Sequence, residues 1–197
     1  TKDGNICLWT EGMGNSQLTY TGIDNTPILS GDGQEIAFLR NGELWVVNAD
    51  GSAERQLVSS AFLSTLTTGS DIVEVKDFVW KPGAQTIYFN SLVVAGEAGY
   101  RIPQVDLFRI NTDGGVDAVI REESPGSGGV PSFSPDGSVI ALVQPDKIKF
   151  LVVMDSSSSV PLTFTNILTY GEWSYIPEVV WQLDSSGIWV VVPASDP

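Results

Sequence analysis

Residues 131–143 read Pro-Ser-Phe-Ser-Pro-Asp-Gly-Ser-Val-Ile-Ala-Leu-Val, a small polar turn followed by an apolar run. Residues 27–39 read Pro-Ile-Leu-Ser-Gly-Asp-Gly-Gln-Glu-Ile-Ala-Phe-Leu, with the turn and the run at the same offsets. Weaker copies lie elsewhere in the chain, and the positions that we align are Ser30, Trp80, Ser134 and Trp181. The copies recur about every fifty residues, a period that indicates a solenoid, a propeller or another array of stacked units.

Each copy is followed by a second half that contains another turn. This half reads Gly-Glu-Leu-Trp-Val-Val-Asn-Ala-Asp-Gly-Ser at 42–52 and Val-Asp-Leu-Phe-Arg-Ile-Asn-Thr-Asp-Gly-Gly at 105–115. A short fourth run follows, as at 54–58 and 160–164. Short runs rich in Val, Ile, Phe, Trp and Tyr and bounded by Gly, Pro, Asp and Ser are typical of β-strands. We therefore predict four short strands in each unit.

Several of these runs are apolar on both faces, as at 44–47 and 150–154, and no segment shows a sustained helical period. A strand of this kind needs cover above and below, which a sheet obtains when it lies between neighbouring sheets. Four-stranded sheets that stack face to face around an axis provide such cover. The pattern therefore predicts an all-β fold, a β-propeller of four-stranded antiparallel blades.

The repeated pattern resembles that of the TolB-like (WD-repeat-like) β-propeller family. It consists of Ser-Pro-Asp-Gly, then Ile-Ala-Phe/Leu, then Leu-Trp-Val-Val-Asn-Ala-Asp-Gly-Ser and a fourth strand that contains Leu. The resemblance is strongest at 27–58 and 131–143, weaker at 77–120 and 178–192, and at 4–20 it covers the back half of a repeat. It implies the fold and says little about activity, because propellers carry many unrelated functions.

The chain is predicted to form a single propeller domain or a fragment of one. Its blades are assigned to 27–75, 76–130 and 131–176, with the back half of a blade at 1–26 and the front half of another at 177–197. This is about four blades' worth of strands, and we expect it to be part of a larger propeller of six to eight blades. Closure of a four-bladed ring by the two half blades remains an alternative.

Composition excludes several classes of function. The net charge is −14, from 24 acidic and 10 basic residues, which argues against nucleic acid as a partner because such binding depends on Lys and Arg. No stretch approaches the roughly 18 consecutive apolar residues of a membrane span. The chain has no histidine, so Ser-His-Asp and Cys-His catalysis and His-ligated metal are excluded within it. We expect no enzyme activity, no metal and no cofactor.

Most conspicuous side chains are assigned to the scaffold. The acids next to glycine are expected to cap their own turns, because Asp accepts hydrogen bonds from nearby backbone amides and glycine adopts the left-handed conformation. Repeat-equivalent tryptophans are expected to pack between blades, and Cys7 is expected to be a buried structural thiol. These acids are Asp32, Asp50, Asp113, Asp136 and Asp184, and the tryptophans are Trp45, Trp80, Trp181 and Trp189.

Candidate binding residues lie where the repeat is interrupted. The family resemblance implies one face that collects the loops 59–76, 122–130 and 165–176, with the tips near Asn41, 96–104 and 145–146. Long loops on a rigid scaffold often carry function, and Tyr, Trp and Arg are frequent anchors of binding surfaces. The candidates for a ligand or partner are Tyr100, Arg101, Tyr170, Trp173 and Tyr175.

We therefore expect a non-catalytic propeller that binds a protein or peptide through this face. The TolB-like resemblance implies a location outside the cytoplasm: periplasmic, secreted or on the cell surface. Two alternatives remain: a propeller accessory to a prolyl-oligopeptidase-like serine hydrolase, and a propeller that binds or processes carbohydrate. Exposed strand edges would also favour self-association or pairing with further blades.

Overall fold

The computed structural model of the protein describes residues 2–95, 100–104, 106–124, 126–153, 167–168 and 176–191. The described residues form five antiparallel sheets in chain order. The first pairs β1 (Cys7–Thr10) with β2 (Gly14–Gln17). The second has the order β3 (Asp24–Leu29), β4 (Glu35–Arg40), β5 (Glu43–Asn48) and β6 (Arg55–Val58), and the short helix α1 (Ser60–Ser64) follows it.

The third sheet is built from β7 (Ile72–Trp80), β8 (Thr86–Ala95), β9 (Tyr100–Pro103), β10 (Leu107–Asn111) and β11 (Ile120–Glu123). Its order is β11-β10-β8-β7, and β9 pairs with the distal half of β8. The fourth sheet contains β12 (Val130–Phe133), β13 (Val139–Val143), β14 (Lys147–Val152) and β15 (Ile167–Leu168), and the fifth pairs β16 (Val179–Trp181) with β17 (Ile188–Val190).

The second strands of the inner sheets are buried on both faces, as predicted. In β4, Ile36 and Phe38 pack in a cluster with Ile6 of the first sheet, whereas Ala37 and Leu39 pack in a cluster shared with the third sheet. Successive side chains of a strand point to opposite faces, so one apolar strand contributes to two cores. The expectation that sheets cover one another is therefore confirmed.

The fourth sheet repeats this arrangement. Ile140 and Leu142 of β13 pack with Tyr88 of the third sheet, and Ala141 and Val143 contribute to a cluster that the fifth sheet covers. Each core thus lies between two sheets adjacent along the chain. This stacking of antiparallel sheets, which in the inner part have four strands or, in the third sheet, four strands and the added β9, is the arrangement of propeller blades.

The sheets have two different edges, which we call the turn edge and the loop edge. The turn edge consists of the connections at 30–34, 49–54, 81–85, 112–119, 134–138 and 182–187. The loop edge consists of the opposite strand ends, which include Asn41 and Gly42, residues 59–71, the β8–β9 hairpin, Asp106 and residues 124–129, of which Pro125 is not described.

The hydrogen bonds of the turn edge show that the predicted alignment of the repeats is wrong by one residue at two of its four positions. Ser30 N donates to Glu35 O, and the same turn is closed from Lys81 N, Ser134 N and Gln182 N. The structural equivalents of Ser30 are therefore Lys81 and Gln182, not Trp80 and Trp181. The apolar match of the tryptophans to the strand pattern favoured the wrong register.

Two elements depart from the predicted strand pattern. Helix α1 lies in what was expected to be a loop, where Ser59 accepts a hydrogen bond from Phe62 N and caps the helix. Strand β7 begins at Ile72, because Val73 and Val75 pair with Val93 and Ser91 of a long β8. The loop predicted at 59–76 is thus shortened, and its last residues form the beginning of β7.

Candidate functional site

The predicted binding residues are only partly described. Arg101 lies on β9 at the loop edge, and its side chain is 65% exposed. Tyr100 belongs to the same strand and pairs with Ala95. Tyr170, Trp173 and Tyr175 lie outside the described residues. The proximity expected among the five candidates therefore stays a prediction.

Arg101 lines a cleft of about 390 Å³ at the loop edge between the second and third sheets. The cleft contains acidic and basic side chains, two asparagine amides and a few apolar groups. Its lining consists of Ile23, Asn25, Thr26, Leu39, Asn41, Gly42, Glu74, Val75, Lys76, Leu92 and Arg101. We call this the loop-edge cleft.

A tight turn forms one wall of the loop-edge cleft. Asn41 and Gly42 have φ of 51° and 75°, the left-handed values that an Asn-Gly pair favours in a tight hairpin. A Cβ on Gly42 would lie 2.5 Å from Glu74 Cγ, so glycine allows the Glu74 side chain to lie against the turn. Gly42 O accepts a hydrogen bond of 2.7 Å from Val75 N, which joins the second and third sheets at this point.

The ion pair in the cleft is loosely held. Arg101 Nη1 lies 3.4 Å from Glu74 Oε2, and the Arg101 side chain is mostly in solvent. An exposed pair of this length contributes little to stability, so both groups are available to a charged ligand. Arg101 was predicted from the sequence. Glu74 was missed although it lay in the predicted loop 59–76, because only Tyr, Trp and Arg were taken as candidates, and the pairing of β7 and β9 with β8 places it beside Arg101.

Backbone irregularities lie at the floor of the cleft. The register of β3 against β4 shifts between Asn25 and Ile28, and that of β7 against β8 shifts between Val75 and Phe78. Thr26, within the first irregularity, has a φ of 51°. Bulges of this kind re-aim side chains and are common beside functional sites. Here Asn25, Thr26 and Lys76, which line the cleft, lie at or within these irregularities.

A buried carboxylate lies elsewhere on the loop edge. Asp106 is almost fully buried and accepts hydrogen bonds from Ser91 N at 2.8 Å and Ser91 Oγ at 2.7 Å. Burial raises the pKa of Asp106, and the hydrogen bonds from Ser91 oppose this only in part. A Cβ on Gly128 would lie 2.1 Å from Asp106 O, so the following loop approaches through glycine. Asp106 thus joins β8 to the loop before β12.

The turn edge also has a cleft, of about 650 Å³, between the second and third sheets. Most of its charged groups are engaged with the protein: Glu35 pairs with Arg55 and accepts from Thr112 Oγ1, and Asp32 accepts from Gln85 Nε2 at 2.8 Å. These contacts join neighbouring sheets. We therefore assign this cleft to the scaffold.

Four of the five aspartates predicted to cap their turns do so, whereas no side-chain hydrogen bond is found for Asp113 among the described residues. Asp32 Oδ1 accepts from Ser30 Oγ and Gln34 N, and Asp136 Oδ1 accepts from Ser134 Oγ and Ser138 N. Asp50 and Asp184 accept in the same way from Ser52 and Ser186. The serine hydroxyl bonds lower the pKa of all four carboxyls, that of Asp136 to about 2.

Of the four tryptophans predicted to belong to the scaffold, three do so. Trp80 Nε1 donates to Ile28 O at 3.0 Å, and Trp181 Nε1 donates to Ser132 Oγ at 3.1 Å, so each joins its sheet to the preceding one. Trp45 is partly buried beside the first sheet. The prediction was wrong for Trp189, which is 69% exposed because it lies on the face of β17 opposite the one that packs on the fourth sheet.

Cys7 also differs from expectation, since it is half-buried rather than buried. Ile6 and Leu8, on either side of it in sequence, pack toward the second sheet, and the period of the strand turns Cys7 to the other face. Across the described ranges, no group of three or more His, Cys, Asp or Glu side chains is placed to hold a metal ion. No helix in that part of the chain has the length and hydropathy to cross a membrane.

Comparison with known proteins supports the fold. No protein-family model matches the chain. The chain is 26% identical over 151 residues to dipeptidyl-peptidase 5 of Porphyromonas gingivalis, an alignment that covers 67% of this chain and 22% of that protein. A solved chain from work on two prolyl endopeptidases matches with a TM-score of 0.52 and 13% identity, covering 87% of this chain and 27% of that one.

A functionally unknown protein from Desulfotomaculum acetoxidans matches with a TM-score of 0.44 and 14% identity, covering 93% of this chain and 67% of that one, which is too weak to support an argument. The chain spans about a quarter of the length of the two peptidases. With the stacked antiparallel sheets, the stronger structural match shows a β-propeller-like fold. The TolB-like assignment and the blade boundaries stay predictions.

Proposed function

We propose that this chain is the propeller part of a peptidase and that its loop-edge cleft holds or selects peptide substrates, without a catalytic group of its own. The observation that carries the proposal is the sequence match to dipeptidyl-peptidase 5, which extends over two thirds of this chain. The location we propose is outside the cytoplasm, as the TolB-like resemblance implies.

The chemistry of the loop-edge cleft supports a peptide ligand. Glu74 presents a partly exposed carboxylate, and Arg101 presents a guanidinium within 3.4 Å of it. A peptide amino terminus can pair with the first group and a carboxylate with the second, and charge-assisted bonds of this type are stronger than neutral ones. The amides of Asn25 and Asn41, which also line the cleft, can donate to and accept from a peptide backbone.

The absence of histidine from the sequence supports an accessory role. A serine hydrolase activates its nucleophile with a neighbouring base, most often histidine. Four carboxylates of the turn edge accept hydrogen bonds within their turns, and their lowered pKa makes them poor proton acceptors near neutral pH; they are Asp32, Asp50, Asp136 and Asp184. The hydrolytic groups would therefore come from outside these residues.

Peptide binding tests the proposal. The probe is the hexapeptide Ala-Ala-Lys-Ala-Ala-Ala with fluorescein on the lysine and both termini free, followed by anisotropy. We expect saturable binding that Arg101→Ala or Glu74→Gln weakens about tenfold, the equivalent of one strong polar contact. Chromatography of the peptide after incubation should show it intact.

The matched control is Arg109→Ala. Arg109 lies on β10 of the same sheet and pairs with Glu122, away from the loop-edge cleft. The Arg109→Ala variant should bind the peptide as tightly as the unaltered chain does. Acetylation of the peptide should remove the effect of Glu74→Gln, and amidation of its carboxyl end should remove the effect of Arg101→Ala. Equal binding by Arg101→Ala and Arg109→Ala would refute the assignment of the cleft.

A further inference from the structure

Asn41 and Gly42 are the only Asn-Gly pair in the sequence. Asparagine is a chemically labile residue. Its side-chain amide carbon can be attacked by the backbone nitrogen of the next residue, and glycine hinders this attack least because it has no Cβ. In a folded chain the reaction has two requirements. The asparagine amide must be accessible, and the glycine nitrogen must not be engaged in a hydrogen bond.

The loop edge meets both requirements. Asn41 is exposed, and among the described residues no hydrogen bond to its side chain is found. The turn is a two-residue hairpin connection closed by the pairing of Arg40 with Glu43, so Asn41 and Gly42 lie outside the ladder. Within the part of the chain that the structure describes, Gly42 N has no acceptor, and Gly42 takes part in backbone bonding only through its carbonyl oxygen, which accepts from Val75 N.

The Asp-Gly turns of the turn edge, which could undergo the same ring closure, are protected. In four of them the glycine nitrogen donates to the carbonyl oxygen three residues before it, at 2.8 to 3.1 Å. In three of these four, hydrogen bonds also lower the pKa of the aspartate, which keeps it an anion that repels a nucleophile. The four pairs are Asp32-Gly33, Asp50-Gly51, Asp113-Gly114 and Asp136-Gly137. Neither form of protection exists at Asn41.

We propose that Asn41 is a site of spontaneous deamidation that changes the charge of the loop-edge cleft. Gly42 N attacks Asn41 Cγ and gives up its proton, the bond between Cγ and the side-chain nitrogen breaks, and that nitrogen leaves as ammonia. Water then opens the cyclic succinimide at either carbonyl carbon. Opening at Cγ gives aspartate, and opening at the backbone carbonyl carbon gives isoaspartate, in which the main chain runs through Cγ. Water is the one co-reactant.

Either product adds a negative charge to the wall of the loop-edge cleft. Asn41 lines this cleft, and Glu74 lies against the same turn, since its Cγ would be only 2.5 Å from a Cβ on Gly42. Isoaspartate also lengthens the main chain by one atom, which should displace Gly42 O from Val75 N. The consequence for binding rests on the proposed function. A more acidic cleft should hold a peptide carboxylate less tightly and a peptide amino terminus more tightly.

Peptide mapping by mass spectrometry tests the site. The folded chain is incubated at mildly alkaline pH, where Gly42 N loses its proton more readily, and acidic species are separated by ion exchange. We expect the acidic species to contain aspartate and isoaspartate at position 41. The matched control within the chain is Asn15, an exposed asparagine followed by serine, which should keep its amide over the same time. Asn41→Gln should give no such species, because glutamine would have to close a larger ring.

The chain unfolded in urea provides the reference for this reaction, because its Asn41-Gly42 pair is free of the fold. We expect deamidation at Asn41 in both the folded and the unfolded chain. An Asn41 amide that survives in the folded chain while the unfolded chain loses it would overturn the proposal, because the turn would then protect the amide.

Peptide binding tests the effect on the cleft. The probe is the same fluorescent hexapeptide, acetylated so that its carboxyl end alone is free. The deamidated chain and Asn41→Asp should bind it about threefold less tightly than the unaltered chain, the size of one screened charge interaction. The amidated peptide with a free amino terminus should bind no less tightly than before.

Two results separate the failure of this effect from that of the proposed function. Equal binding of the acetylated peptide by the deamidated and the unaltered chain would overturn the effect on the cleft alone. Absence of peptide binding by the unaltered chain would refute the proposed function and this effect with it, while the mass measurement still decides whether Asn41 is modified.

Discussion

The hydrogen bonds of the turn edge are repeated from sheet to sheet, and those of the loop edge are not. At the turn edge, Asp32, Asp136 and Asp184 make nearly the same hydrogen bonds in the equivalent turns of three different sheets. At the loop edge, the pairs Gly42–Glu74 and Ser91–Asp106 occur once each among the described residues. The repeated edge supports the fold. The edge without repetition is free to carry a ligand site, which is where we place peptide binding.

The charged groups of the two edges also differ, in their burial and in the direction of their pKa shifts. The turn-edge aspartates are exposed and hydrogen-bonded, which lowers their pKa. At the loop edge, Asp106 is buried and its pKa is raised. Arg40, beside the Asn41 turn, is buried in a network with Asp24 and Glu54. Removal of the buried Arg40 or Asp106 should therefore have larger effects than removal of an exposed turn-edge aspartate.

The largest effect is expected for Arg40→Ala. Arg40 Nε and Nη2 donate to the two carboxylate oxygens of Asp24, a side chain without solvent exposure. Burial alone would raise the pKa of Asp24, but the hydrogen bonds from Arg40, Thr19 and Thr21 outweigh it and lower the pKa. Removal of one partner from a buried ion pair costs about 3–5 kcal/mol. Urea unfolding should show this loss in the free energy of unfolding.

Arg101→Ala is the matched control for Arg40→Ala. It removes an exposed pair and should change the free energy of unfolding by less than about 1 kcal/mol. If the two variants were equally stable, the Arg40 network would not be the buried element that distinguishes the loop edge.

A smaller, pH-dependent effect is expected for Asp106→Asn. The pKa of Asp106 is higher in the folded state than its ordinary 3.8 because burial disfavours the anion. The folded state then binds more protons than the unfolded state above about pH 4, so this group's contribution to stability falls as the pH rises through that range. Asparagine does not titrate. The stability of Asp106→Asn relative to the unaltered chain should therefore increase between pH 4 and pH 7.

Asp136→Asn at the turn edge should have the smallest effect on stability. The stability of this variant relative to the unaltered chain should fall as the pH rises, opposite to that of Asp106→Asn. Hydrogen bonds from Ser134 Oγ and then Ser138 lower the pKa of Asp136 to about 2. Its contribution is fully present above its ordinary pKa of 3.8 and is lost as the pH falls through about 2. The deficit of Asp136→Asn should thus be present at pH 5 and absent below pH 2. If the free energies of unfolding of both variants, relative to the unaltered chain, changed with pH in the same direction, the two edges would not differ in their electrostatics.

Local sequence patterns predicted the repeated part of the molecule. The turn caps and the two-sided burial of β4 and β13 follow from residue type and spacing, and the structure contains both. The alignment of Trp80 and Trp181 with Ser30 was wrong by one residue, because an apolar match outweighed turns that lack the Ser-x-Asp pattern. Helix α1 was missed because five residues show no helical period.

The candidate site was less predictable because it depends on pairing between distant segments. Arg101 was identified by its residue type in an interrupted repeat. Glu74 becomes its neighbour only through the pairing of β7, β8 and β9. The exposure of Trp189 likewise depends on which sheets lie beside it, and equivalence within the repeat favoured burial. Composition and spacing do not show which strands pair or which sheets lie side by side.

The most direct test of the account is the position of peptide-induced chemical-shift changes in the amide spectrum of the chain. Titration with unlabelled Ala-Ala-Lys-Ala-Ala-Ala should shift the amides of Gly42 and Val75 at the loop edge. The amides of Gly33 and Gly137 at the turn edge should not move. Changes confined to the turn edge, or no changes at millimolar peptide, would contradict the claim that the edge without repetition carries the function.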